Sequence, residues 1–141
     1  MISRRTAALV LCVLVVPVFF LSASDRDLFD EAQRRFAAGN YALAVERFER
    51  LLQDYPESRY RTEAELRIAQ SSFYLGEYAD ALERLQRIAV RARGGALAPT
   101  VQLWIGLTAY QLEDPVTAEA ALSRHIAEAD PAQGRAWLYR G

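Results

Sequence analysis

His125 is the single histidine of this 141-residue chain, and Cys12 is its single cysteine. A general base or a zinc site needs partners: a second imidazole, a thiolate or an oriented carboxylate close by. His125 lacks a second histidine or a neighbouring cysteine, so it reads as a partly buried packing residue. Ser71-Ser72 sits mid-helix and outside any nucleophile-elbow motif. Gly94-Gly95 lacks the lysine and the strand context of a phosphate-binding loop. The acidic pairs Glu63/Glu65 and Glu46/Glu49 stand near arginines at helical spacing and read as solvated helix charges. No catalytic residue, metal ligand or cofactor is expected.

All 17 basic residues are arginine. Setting aside Arg4 and Arg5, 15 remain against 18 acidic residues, a net charge of −3 from Asp25 onward. The signs are interspersed, with no basic face for nucleic acid and no polybasic membrane patch.

What could position any functional side chain is a repeat. Ala32, Phe36, Gly39, Tyr41, Ala44, Phe48 and Leu51 recur 37 positions later as Ala69, Phe73, Gly76, Tyr78, Ala81, Leu85 and Ile88. Another 37 gives Gly106, Tyr110, Glu113, Pro115, Ala118, Leu122 and His125. His125 thus shares a column with Leu51 and Ile88. A fixed period of this size marks a stacked repeat protein, in which neighbouring units bury the apolar faces that no unit can bury alone.

Each unit reads as two antiparallel helices. Leu28, Phe29, Ala32 and Phe36 give the first helix an apolar stripe. Ser24 is placed to cap it, with Asp27 completing a capping box. Gly39 suits a left-handed helix end, and Asn40 can cap the second helix. Unit two repeats this plan through Gly76. In unit three Pro99 fits a first helical turn, the turn glycine is lost, and Asp114-Pro115 supplies the next start. Trp104 is assigned to core or groove wall, with core favoured. Asp130-Pro131 opens one more helix, which contains Trp137.

Residues 1–24 read as a signal peptide. Arg4 and Arg5 precede an apolar run from Ala7 to Leu21, and small residues follow it. The run would span roughly 22 Å as a helix, short of a hydrocarbon core of about 30 Å. The alternative is an inner-membrane anchor formed by residues 7–21. Leu11 precedes Cys12 and nine more residues of the run follow it, so a lipid anchor there is not expected. The expected location is periplasmic or exported.

Gly39-Asn40-Tyr41-Ala42-Leu43-Ala44 followed by Phe48, and Gly76-Glu77-Tyr78-Ala79-Asp80-Ala81 followed by Leu85, resemble tetratricopeptide repeats. The joint Tyr55-Pro56-Glu57-Ser58-Arg59-Tyr60 leading into Glu63-Ala64 is similar to that of bacterial envelope members. These include the Tol-Pal-associated cell-division coordinator and the outer-membrane assembly lipoprotein. The resemblance covers residues 25 to about 130. It assigns the superfamily and neither protein, because no upstream coiled coil or lipobox is present.

The resemblance implies an all-α, right-handed superhelical solenoid of three helix-turn-helix repeats plus a short C-terminal helix. The domain would span 25–141, with repeats at about 25–60, 61–97 and 98–134. It further implies a concave groove lined by the first helix of each pair. Groove candidates by register are Arg26, Gln33 and Ala37, then Glu63, Gln70 and Tyr74, then Thr100, Leu107 and Gln111. Phe29, Leu66 and Leu103 would form its floor, and Gln33 and Gln70 would form an amide ladder. The implied role is a non-catalytic adaptor that holds a protein or peptide segment in the groove. The alternative is a structural module that self-associates through its end repeats. No nucleic-acid partner is expected, and membrane contact only if the N-terminal segment stays uncleaved.

Overall fold

The computed structural model describes residues 24–129, which form six α-helices: α1 (Asp25–Ala37), α2 (Tyr41–Asp54), α3 (Arg61–Tyr74), α4 (Tyr78–Ala92), α5 (Ala98–Gln111) and α6 (Pro115–Ala129). The signal-peptide or anchor reading of residues 1–23, Cys12, and the helix containing Trp137 lie outside the described residues. Among those described there is no strand. The architecture is an all-α tetratricopeptide-like solenoid of helix pairs.

Helix starts follow from local chemistry. The Ser24 hydroxyl accepts from the Asp27 N–H, and the Asp27 carboxylate accepts from the Ser24 N–H at 3.1 Å, closing the capping box. Asp114 caps α6 by accepting from the Thr117 N–H at 3.1 Å. The side-chain hydroxyls of Ser24 and Thr117 first, and the backbone N–H bonds second, hold the Asp27 and Asp114 carboxyls below the usual carboxylate range. Asn40 stands at the N-cap of α2, but its side chain makes no capping bond there.

The turns between paired helices are alike in all three units. Gly39 and Gly76 have φ of +75° and +82°, and Glu113 adopts φ +57° at the equivalent place. In each turn that residue's N–H reaches a carbonyl three residues back: Phe36, Phe73 or Tyr110. The following N–H reaches five back, to Arg35, Ser72 or Ala109. Unit three therefore loses the glycine but keeps the left-handed turn. A side chain in this conformation costs about 1–2 kcal/mol, which glycine avoids. Glu113→Gly is accordingly expected to raise unfolding stability by about 1 kcal/mol, read as a shift in the urea midpoint with unchanged slope.

Packing runs continuously from unit to unit. Leu28, Phe29, Phe48, Leu51 and Ile68 join α1, α2 and α3 in one core cluster. Leu66, Leu85, Ile88, Val101, Ile105 and Ala121 join α3 through α6 in a second. The long joint after α2 is tied back onto unit one. Tyr60 stacks on Phe29 with ring centroids 4.6 Å apart, and the Ser58 hydroxyl donates to Asp25 at 2.7 Å. The curvature is set by which helices approach one another. α1 touches α3 and α3 touches α5, whereas α2, α4 and α6 stay apart. The first helices thus line the tighter, inner side of the stack.

Candidate interaction surface on the inner face

The inner face is built from residues spaced at i, i+4 and i+7 on α1, α3 and α5, which lie on one side of a helix. In the column Asp30, Arg67, Trp104, the last two reach back toward the preceding unit. The Arg67 guanidinium sits 5.0 Å above the Phe36 ring. One unit later the Trp104 ring meets Phe73 edge-on, with centroids 5.4 Å apart. The same register thus gives a cation–π contact at one joint and an aromatic edge contact at the next.

Tyr74 bridges these two joints. It stacks on Tyr41 at 4.6 Å and lies 6.1 Å from Phe36 and 5.7 Å from Trp104. Tyr78 completes the row against Phe73 at 5.2 Å. The result is an aromatic seam that crosses all three units at the turn end of the helices. Its rings pack on one another, so Tyr74 is flanked by Phe36, Tyr41 and Trp104 although it is 49% exposed. Leu107, one turn along from Trp104, is also exposed. Tyr110 is the repeat equivalent of Phe36 and Phe73. With no further described unit to cover it, Tyr110 is 74% exposed.

Of the candidates read from register, Arg26, Ala37, Tyr74, Leu107 and Gln111 are exposed, and Gln33, Glu63 and Thr100 are half-buried. Gln70 is only 3% exposed, and its Oε1 accepts from the Arg67 guanidinium at 3.0 Å. Its carbonyl is therefore engaged inside the fold, so Gln33 and Gln70 do not present two equally free amides. Arg26 is within ion-pair range of Asp30, and Glu63 of Arg67. Phe29 and Leu66 are buried and Leu103 is half-buried.

Trp104 is half-buried on the seam as well as packed against the second core cluster, so it belongs to the core and also reaches the inner face. Sequence reasoning passed over Arg67 entirely. The signal for both is present in the repeat, since positions 30, 67 and 104 lie one helical turn from the register columns of Arg26 and Gln33.

The residues that could have done chemistry are absorbed by packing. The His125 Nδ1 donates to the Pro99 carbonyl at 2.7 Å, tying α6 to the start of α5. A carbonyl can only accept, so the proton sits on Nδ1. The Ser71 hydroxyl donates to the Arg67 carbonyl, and Ser72 donates to Asp80 at 2.9 Å. Burial pushes the Asp80 carboxyl upward, but hydrogen bonds from Arg84 and Ser72 outweigh it and hold the group below its usual range. Among the described residues no group of three or more His, Cys, Asp or Glu could hold a metal ion. No helix among them is long and apolar enough to cross a membrane.

Comparison with known proteins divides the chain into two overlapping stretches. Residues 22–90 match the YfiO family, described as outer membrane lipoprotein. Residues 66–134 match a tetratricopeptide repeat family. No curated protein matches the chain. Both families are typically non-catalytic scaffolds, and together the matches suggest a protein-interaction adaptor of the cell envelope.

Proposed function

Because the chain is a tetratricopeptide-type protein similar to envelope lipoproteins, we propose that it is an adaptor that holds a segment of a partner protein against its inner face. The observation that carries this reading is the exposed part of the aromatic seam. Arginine, tyrosine and tryptophan are the residues that most often dominate protein interfaces. Here Arg67, Tyr74 and Trp104 stand together on one face, already ordered by ring contacts. A braced aromatic loses little conformational entropy on binding, so more of the contact energy appears as affinity. Leu107 adds an apolar neighbour. Arg67 and Glu63 supply polar groups that can fix the register of a bound segment.

The reading is tested in intact cells with a photocrosslinking residue placed at Leu107 and, as control, at exposed Arg50 on α2. A discrete protein adduct is expected from position 107 and not from position 50. Adding Tyr74→Ala should cut that adduct at least tenfold while leaving helicity unchanged, the scale of losing one interface anchor. Equal adducts at both positions would count against the inner face.

The proposed location is the periplasmic side of the envelope, with the N-terminal apolar segment up to Ala23 acting as the export signal. The outer membrane lipoprotein match opens at residue 22, where the apolar run has just ended. The capping box adds a constraint on processing. A cut after Ala23 keeps the Ser24 hydroxyl that caps α1, whereas a cut after Ser24 removes it. Losing such a cap costs about 1 kcal/mol. The intact mass of the exported protein is expected to begin at Ser24. A mass that retains residues 1–23 would favour the anchor.

A further inference from the structure

On the outer side, α4 and α6 run in the same direction above α5 without touching. Between them is a cleft of about 590 Å³, with Gln102 and Ile105 of α5 on its floor and Val90, Val116 and Ala120 on its walls. Val90 and Val116 are 68% and 77% exposed. Gln102 is only 8% exposed, and its Oε1 has no hydrogen-bond partner. Native interiors rarely leave a buried polar atom unsatisfied, and such exceptions call for a specific explanation.

The equivalent cleft one unit earlier, between α2 and α4, is finished differently. There Arg84 is paired with Asp80 and Glu49, Arg87 with Glu83, and Arg91 with Glu65. In the α4–α6 cleft, Arg93 and Arg124 stand on the lining without an acidic partner within ion-pair distance among the described residues, Glu128 included. In one cleft the arginines are paired internally, and Arg84–Glu49 spans from α4 to α2. The other combines exposed valines, two unpaired guanidiniums and a buried free acceptor.

We propose that the α4–α6 cleft is a second docking site, which takes an amphipathic helix of a partner protein with an apolar stripe, flanking carboxylates and a central side-chain donor for Gln102. A helix fits better than a strand, because no strand edge exists among the described residues to extend. The two walls are 15-residue helices, each roughly 22 Å long, which matches a four-turn helix laid between them. The carboxylates would meet Arg93 and Arg124, and the apolar stripe would cover Val90 and Val116. The chain's own residues 130–141 carry two arginines against one acid, Asp130, and so offer less charge complementarity to Arg93 and Arg124 than a carboxylate-flanked partner does. This site is separate from the inner face and does not depend on that reading.

The test uses the full chain and two synthetic 18-residue helical peptides with the same leucine-alanine stripe and central glutamine. One is flanked by glutamates and the other by lysines, and binding is read by fluorescence anisotropy. The glutamate peptide is expected to bind at least tenfold tighter. Arg93→Glu with Arg124→Glu should reverse that preference, while Tyr74→Ala should leave it unchanged. Gln102→Leu should raise the melting temperature, because it removes a buried unpaired acceptor, and should weaken peptide binding several-fold. Equal binding of the two peptides, or no response to charge reversal, overturns the proposal. So does a photocrosslink from position 116 that lands within residues 130–141 of the same chain.

Discussion

Phe48→Ala is expected to lower the unfolding free energy by about 4 kcal/mol, the usual scale for emptying a buried phenylalanine site. Phe48 is 0% exposed and lies in the core cluster that joins α1, α2 and α3. Its ring meets Phe29 edge-on at 5.7 Å, and Phe29 in turn carries the stacked Tyr60 of the inter-unit joint. Removing it therefore loosens unit one internally and also loosens its seat on unit two. In a solenoid the interface between neighbouring units supplies much of the stability, so the loss is not confined to one helix. A domain of this size has a total of about 5–15 kcal/mol. The melting temperature should fall by roughly 15 °C or more. Tyr110→Ala, on an exposed side chain, should change it little. Thermal and urea unfolding followed by circular dichroism distinguish the two variants, and a Phe48→Ala loss below about 1 kcal/mol would contradict the assigned core.

The helix pairs were legible in the sequence because their determinants repeat. Apolar positions such as Phe48 and Leu85 recur at the period, and the turns fall at fixed offsets from them. The third turn shows how far this extends. Glu113 offers no sign by residue type that it adopts a left-handed backbone, yet its register with Gly39 and Gly76 locates the turn. Register cannot rank burial within a column. Gln33 and Gln70 occupy equivalent places, but Gln70 is buried with its Oε1 accepting from Arg67, whereas the residue equivalent to Arg67 beside Gln33 is Asp30. Trp104 was hard to assign for a related reason, since a ring that size packs on the core and still reaches the inner face. The α4–α6 cleft was not legible at all. Outer helices stand apart in both joints, but which arginines find partners does not repeat along the chain.

Gly106→Val is expected to cost about 3 kcal/mol, at the upper end of what overpacking usually costs. Gly106 holds the column of Ala32 and Ala69, which tolerate a Cβ at complete burial. At Gly106 a Cβ would lie 2.6 Å from Leu122 Cγ and 2.7 Å from its Cδ2, with the Ala118 carbonyl oxygen 3.4 Å away. Leu122 has filled the space that the alanines occupy elsewhere, and its Cγ cannot swing clear as a chain tip could. Gly106→Ala sets this overlap against the gain of about 1 kcal/mol in helix propensity, so its net cost should be smaller, about 1 kcal/mol. The decisive measurement is a double-mutant cycle. Leu122→Ala alone leaves a cavity, but combined with Gly106→Ala it gives the new methyl room, so the pair should be more stable than the sum of single effects by over 1 kcal/mol. Additive losses would mean that Leu122 is not what requires glycine here. The consequence reaches the inner face, because Trp104 and Leu107 flank Gly106 on α5. A helix pushed away from α6 carries Trp104 with it relative to Phe73 and Tyr74, so the Leu107 crosslink should weaken in Gly106→Val even where the chain remains folded.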